Sequence, residues 1–343
     1  MTENNSNYIR VYKEKLYGSK EEKIEQIIEY FNGFNIDYKE LDNYFLIKLN
    51  RSDFTYCEDM SKGFKDLLIT EKECNDYCII EKNFCVCLSE AWIPYAWSKL
   101  TNNKCKPKNL TIIHIDDHSD LMSPFIKKYN GNYIDMITNK VIDFSNPLSV
   151  LNSVKSGAIT IGSILTPIVF DVDDIKILHL KQNAIKEYKN IIKTTIYDDF
   201  INNSKRISVN LDHVQKIGFD NIYLKTNNWD DIYLELDFNS DIIVHIDMDY
   251  FNNRYNGSTS WYEENNIHNP TFSKQKKYII DVCKNIKKIN EIKPIKFILI
   301  GISPSFYPAE YWKQGLLYLL KQLKESGLSV DDLIKKVFEN KGE

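Results

Sequence analysis

Two short stretches hold the densest chemistry in the chain. "HIDDHSDL" spans residues 114–121 and "VHIDMDYF" spans 244–251. The first spaces Asp116, His118 and Asp120 two apart, and the second spaces Asp247 and Asp249 two apart. On extended backbone that spacing sends alternate side chains to one side. Four carboxylates and one imidazole gathered there would cost many kcal/mol to desolvate. A divalent cation removes the difficulty: hard oxygen ligands with one imidazole suit Mn²⁺, and also accept Zn²⁺ or Fe²⁺. Each motif alone has a plain structural reading. A D-x-H-x-D can be a turn with helix-capping aspartates, and D-x-D is common. Together, each closing an apolar run, they point to a metal site.

The elements that must position these residues are short, almost continuous apolar runs: 84–88, 110–115, 158–165, 175–180, 242–246 and 295–302. Such runs suit strands buried on both faces, as in a parallel sheet. Helical patterns lie between several of them. Residues 274–290 place Tyr278, Val282 and Ile286 on one stripe, and 311–323 form a second amphipathic stretch. The alternation predicts an α/β fold with a mainly parallel sheet and helices on both faces. Ligands then bind beyond the carboxyl ends of the strands. Beyond the run 295–302 lie Ser303, Pro304 and Glu310.

Residues 1–75 read as a small N-terminal α+β module without a chemical motif. Ser19 and Glu22 form a capping box opening a helix over 19–33. Ile24, Ile27, Ile28 and Phe31 make its apolar stripe, Gly33 suits its C-cap, and "YFLIKL" at 44–49 reads as a strand. The module either recruits and covers substrate or stabilises the main domain.

Composition excludes several classes. The chain has 343 residues and a net charge of −4, which gives no electrostatic reason to expect nucleic acid. Lys-rich stretches such as "KNIKKINEIK" sit on helical patterns and read as solvated faces. No run approaches a membrane span, and the polar first residues lack the apolar core of a signal peptide. Seven scattered cysteines, an odd number, suit reduced thiols in a cytoplasmic protein. Cys74, Cys78, Cys85 and Cys87 match no standard zinc spacing and read as structural.

"IIHIDDHSDL" with "VHIDMDYF" resembles the arginase/deacetylase superfamily of metallohydrolases, closest to the branch of peptide arginases. "SEAWIPYAW" (89–97), "ITIGSILTPIVF" (159–170) and "IGISPSFYP" (300–308) are similar to further segments of that branch. The resemblance covers about residues 80–325 and leaves 326–343 as a helical tail. It implies a three-layer α/β/α fold with an arginase-like sheet. It also implies that Asp116 and Asp247 bridge two Mn²⁺ ions, that His118 and Asp249 bind one, and that Asp120 binds the other. The implied reaction converts a peptide arginine to ornithine and urea, with a peptide or a small guanidino compound as substrate. Glu310 is then the candidate carboxylate for the substrate guanidinium, or else an ordinary acid at a helix start. His268 is a candidate proton shuttle, or else a loop residue.

One departure matters. Two-metal members have an additional early histidine ligand, and "CVCLSEAWIP" has none. Glu90 substitutes for it, binds substrate, or caps a helix. A mononuclear site, as in the deacetylases, therefore stays open. So do two other readings: an amide hydrolase on the same scaffold, and a non-catalytic binding protein. His114 and His245, each two residues before a motif aspartate, are placed to support the ligands from behind, whereas His179 and His213 suit packing or turns.

Overall fold

The computed structural model describes residues 8–31, 34–51, 59–102, 107–198, 200–201, 204–213, 221–258, 260–263 and 268–339. It is a mixed α/β structure built on one twelve-stranded sheet, with ten α-helices among the described residues. Six strands form the parallel centre, in the order Phe84–Cys87, Ile295–Gly301, Asp241–Asp247, Asn109–Ile115, Asp174–Leu180 and Ile222–Thr226.

The sheet is parallel only in that centre, which corrects the mainly parallel expectation. Cys78–Glu81 pairs antiparallel at one edge. Beyond Ile222–Thr226, five strands follow in antiparallel pairing: Glu187–Asp198, Ser204–His213, Ile126–Tyr129, Asn132–Asp135 and Val141–Ile142. Antiparallel strands need only short turns and tolerate a wet face. Glu187–Asp198 is accordingly half-exposed and polar, whereas Asn109–Ile115 is buried along most of its length.

Alternate residues of the central strands feed two apolar clusters on opposite faces. Ile112, Ile177, Ile243 and Leu299 enter one. Ile113, Leu178, Val244 and Ile298 enter the other. The first face also packs against helices Ile93–Thr101, Pro147–Ser156 and Leu165–Asp171. The second packs against Phe272–Ile292, Trp312–Glu325 and Asp331–Phe338.

The run 158–165 is not a strand. Thr160 and Ser163 form a reciprocal cap around a single 3₁₀ turn, and a helix follows at Leu165–Asp171. Periodicity alone does not separate a buried strand from a buried turn and helix. The expected helices at 274–290 and 311–323 are present as Phe272–Ile292 and Trp312–Glu325.

The N-terminal stretch divides its contacts between the two faces. The capping box of Ser19 and Glu22 opens helix Lys20–Tyr30, and Ile9–Tyr12, Phe34–Glu40 and Tyr44–Arg51 form a separate three-stranded antiparallel sheet. Ile27, Phe31 and Phe45 join the first apolar cluster, while Ile28 is exposed. Gly33 lies outside the described residues. Met60, Phe64 and Leu67 instead join the second cluster, where Phe64 meets Trp312. No described helix is long and apolar enough to cross a membrane.

Candidate metal centre

Strands Asn109–Ile115 and Asp241–Asp247 are adjacent and in register, so Ile115 lies beside Ile246. Both motifs therefore emerge side by side at the carboxyl edge. Their convergence does not come from pleat alternation, as the spacing suggested. The chain bends directly after Ile115, and Asp120 takes a left-handed φ of 53°. Each leading aspartate holds its own turn: the His118 amide donates to Asp116 Oδ1 at 2.6 Å, and the Asp249 amide donates to Asp247 Oδ1 at 3.0 Å. Ser303, itself left-handed at φ 54°, donates its hydroxyl to Asp247 Oδ2 at 2.7 Å.

These turns bring together all six metal-ligand candidates. Three overlapping groups have ligand atoms within 4.8 Å of one another: Glu90 with Asp116 and Asp247, Asp116 with His118 and Asp249, and His114 with Asp116, Asp120 and His245. Asp116 belongs to all three. His118 Nδ1 lies 2.8 Å from Asp249 Oδ2, and the ring is the open member of the set at 36% side-chain exposure. Glu90 is buried because the backbone yields to it. A Cβ on Gly301 would stand 2.4 Å from Glu90 Oε1 and 2.5 Å from its Cγ.

Behind the carboxylates lies a row of buried histidines that register aligns: His245, His114 and His179. His114 Nε2 sits 2.8 Å from the His118 carbonyl, which only accepts, so this nitrogen carries the proton. Burial holds His114 well below its ordinary pKa, so its Nδ1 accepts. The His245 Nδ1, 2.9 Å away, then donates, and its Nε2 is left as a bare lone pair. That lone pair lies 2.9 Å from Glu90 Oε1, yet neither atom has hydrogen-bond geometry to any partner. Asp116 Oδ2 and Asp120 Oδ2 are equally without a donor. His179 completes the row by donating Nε2–H to the Asp116 carbonyl at 3.0 Å and accepting from the Tyr223 hydroxyl at 2.6 Å. Burial pushes His179 and His245 down to about 3.

The carboxylates show the opposite shift. Burial, then mutual repulsion, raises Asp116, Asp247 and Glu90 well above the carboxylate range. Burial alone is the leading cause at Asp120, raised to about 7. At His118 burial opposes protonation, but the Asp249 hydrogen bond and charge overcome it and lift the imidazole to about 9. Without a cation, the site thus holds protons that exposed carboxyl groups would release.

A polar rim surrounds the opening. Asn253 donates to Asp117 Oδ2 at 2.8 Å, and Asn256 Oδ1 lies 3.4 Å from His118 Nε2. Lys181 Nζ reaches Asp117 Oδ1 at 3.0 Å and also bonds its carbonyl. Phe306 packs on the His118 ring, with centroids 4.9 Å apart. Asn253, Asn256, Lys181 and Gly301 escaped the sequence reading; the one available signal was the asparagine-rich "FNNRYNG" after the second motif.

The two other catalytic candidates are placed differently. His268 bridges Asn253 through the backbone beside this rim, and its Nε2 is buried without a partner. Burial lowers its pKa, so it is unprotonated near neutrality. Glu310 already meets a guanidinium, that of Arg254, whose Nη2 is 2.5 Å away. Arg254 also donates to Asn269 at 3.2 Å and lies over the Tyr255 and Tyr311 rings. His213 is exposed at the end of strand Ser204–His213, away from this row. Cys78, Cys85, Cys87 and Cys283 are free thiols.

Compared with models of known protein families and with curated proteins, the chain matches none.

Proposed function

We propose that this chain is a divalent-cation-dependent hydrolase of a guanidino group, converting a peptide arginine to ornithine and urea on an arginase-like α/β/α scaffold. The observation that carries the cation is the set of four converging buried side-chain atoms without a hydrogen-bond partner: Glu90 Oε1, Asp116 Oδ2, Asp120 Oδ2 and His245 Nε2. Leaving such groups unpaired costs about 1–3 kcal/mol each, more when charged. Asp116, His118, Asp120, Asp247, Asp249 and Glu90 are the residues that hold the cation, with Mn²⁺ as the fitting ion and Zn²⁺ or Fe²⁺ as substitutes. The motif resemblance supplies the reaction class.

A divalent cation in this site supplies a water of lowered pKa and neutralises the carboxylates. Water adds to the guanidinium carbon and the bond to the substrate's side-chain nitrogen breaks. Guanidinium plus water become ammonium plus urea, so protons and charge balance. His118, held by Asp249 and faced by Asn256, stands at the open side where substrate enters. His268, unprotonated beside Asn253, suits the transfer of the proton to the departing nitrogen. Glu310 takes the substrate guanidinium only by releasing Arg254, which assigns it to structure before substrate.

The test is metal analysis of protein purified without chelator, followed by product assay on an arginine-containing peptide. The proposal expects bound Mn²⁺, Zn²⁺ or Fe²⁺ and release of urea. Acetate from an acetyl-lysine peptide, with no urea, would move the reading to a deacetylase. Tight cation binding with neither product would favour a binding protein.

A further inference from the structure

We infer that a cavity between the N-terminal stretch and the long hairpin binds a carboxylate carried beside an aromatic or apolar group. The cavity has a volume of about 370 Å³ and is lined by Lys15, Tyr30, Tyr197, Asp198, Phe200 and Arg206. That volume is at the small end for ligand sites. Tyr30 closes helix Lys20–Tyr30, and Lys15 lies just before that helix. Tyr197 and Asp198 end the strand Glu187–Asp198, Arg206 lies on Ser204–His213, and Phe200 sits between those two strands. None of the six belongs to the candidate metal centre, so this site stands or falls apart from the proposed reaction.

Arg206 supplies the first argument. Its guanidinium lies over the Phe125 ring, 4.7 Å from the centroid, and its Nε is 3.1 Å from Asp198 Oδ2. That close approach lacks hydrogen-bond geometry, and Nε is buried without a partner. Nη1 and Nη2 meet no acceptor among the described residues and, unlike Nε, are not buried. Asp198 does not depend on Arg206 for donors. The Phe200 and Ile201 amides donate to its Oδ1, and the Tyr30 hydroxyl donates to its Oδ2. The arginine side chain is thus held in place at 15% exposure with its planar fork unused. Such a fork matches the two oxygens of a carboxylate, and one already fixed by its surroundings loses little freedom on binding.

Charge supplies the second. Lys15 is exposed and has no acid partner among the described residues. Lys15 and Arg206 face one acid, Asp198, so the cavity carries one surplus positive charge. A single carboxylate balances that surplus, whereas a phosphate dianion exceeds it. The walls then select what the carboxylate is attached to. Tyr30 and Phe200 stack with centroids 4.2 Å apart, and Tyr197 is exposed beside them. This apolar surface next to the guanidinium suits a small aryl acid, or the carboxyl end of a peptide whose last residue is aromatic.

Titration calorimetry on the full chain tests this with 3-phenylpropionate and acetyl-Gly-Gly-Phe, each beside its amide. Wild type should bind the acid and take the matching amide about 10- to 100-fold more weakly, the worth of one charge-assisted contact. Tighter binding of the peptide acid would assign the site to a chain end, and tighter binding of phenylpropionate to a small acid. Arg206→Lys keeps the charge, removes the fork and should lose affinity by a similar factor. Lys15→Gln changes an exposed side chain and should cost about fivefold or less in affinity, with melting temperature unchanged. The comparison of acid with amide needs no variant, so it decides even where Arg206→Lys folds poorly. Equal affinity for acid and amide would overturn the inference, as would unchanged acid binding in folded Arg206→Lys. No binding of either acid to folded wild type would do the same. Inorganic phosphate binding more tightly than both acids would also overturn it.

Discussion

Two sets of buried carboxylates behave in opposite ways. Asp135 accepts from the Ile137 and Thr138 amides and the Ser156 hydroxyl at 2.7–2.9 Å. Asp198 accepts from the Phe200 and Ile201 amides and the Tyr30 hydroxyl, and lies 3.1 Å from Arg206 Nε. Both oxygens of each carboxylate thus have a donor, although Arg206 Nε itself lacks hydrogen-bond geometry to any partner. Asp116, Asp120 and Glu90 are as deeply buried, yet each keeps an oxygen with no donor. Burial of an acid is thus not the mark of a functional site in this fold. The mark is burial with acceptors left over. The same contrast separates the two edges of the parallel strands. The amino edge has a cavity of about 350 Å³ lined by Trp97, Asp241, Lys296 and Phe297, where the acid faces a lysine at 3.8 Å. It has space and balanced charge, and none of its described lining residues has a buried side-chain atom without a partner.

The largest expected effect is at the candidate metal centre, where Asp247, although both its oxygens accept hydrogen bonds, groups with Glu90 and Asp116. Asp247→Asn should lower urea release about 1,000-fold or more, since metal chemistry contributes several kcal/mol, while the metal-free chain melts no lower than wild type. Near-normal turnover would remove Asp247 from the site. Asp198→Ala should reverse the pattern. Removing one partner of a buried pair costs about 3–5 kcal/mol, so melting temperature should fall sharply while cation binding per folded molecule stays. Loss of cation binding with unchanged melting would erase the distinction between the two sets.

A third test uses pH. Asp120 keeps its proton up to about 7 in the fold, whereas an unfolded aspartate releases it near 4. Between those values the folded, metal-free chain binds more protons than the unfolded one, so its stability falls as pH rises. Chelated protein should therefore lose melting temperature through this window as pH increases, and saturating Mn²⁺ should flatten or reverse the trend. The same slope with and without Mn²⁺ would show that the cation does not meet these carboxylates.

The smallest effect is at Glu310. Its pair with Arg254 is partly exposed, so Glu310→Gln should cost about 1 kcal/mol or less in stability and leave KM for an arginine peptide within about twofold. A KM rise of 30-fold or more, with stability unchanged, would return Glu310 to the substrate.

The sequence showed much of this arrangement, and where it failed the cause is physical. The central strands Asn109–Ile115, Asp241–Asp247 and Ile295–Gly301 were legible because burial on both faces demands continuous apolar runs. Helix Lys20–Tyr30 was legible from its capping box. The hairpin of Glu187–Asp198 and Ser204–His213 was not, because its half-wet strands carry lysines and asparagines in place of an apolar run. The aspartates and His118 were readable as a set, although turns held by Asp116 and Asp247, not pleat alternation, make them converge. His114 and His245 were readable only as supporters of the ligands. Their 2.9 Å bond to each other depends on two strands 131 residues apart being neighbours in register, which no local pattern encodes. The seat of Glu90 depends likewise on Gly301, a residue whose contribution is an absent side chain.

The order of the central strands has a consequence for biosynthesis. Phe84–Cys87 and Asn109–Ile115 are close in sequence, yet Ile295–Gly301 and Asp241–Asp247 lie between them in the sheet. A growing chain cannot bring Glu90 to Asp116 until residue 301 has left the ribosome and two late strands have inserted. Until then the early strands wait with exposed edges, a state prone to mispairing, and the long sequence separations slow closure. On the cation reading proposed above, capture would be an end-of-synthesis event, and a chain cut short before Gly301 would carry most of the candidate ligands without the seat of Glu90.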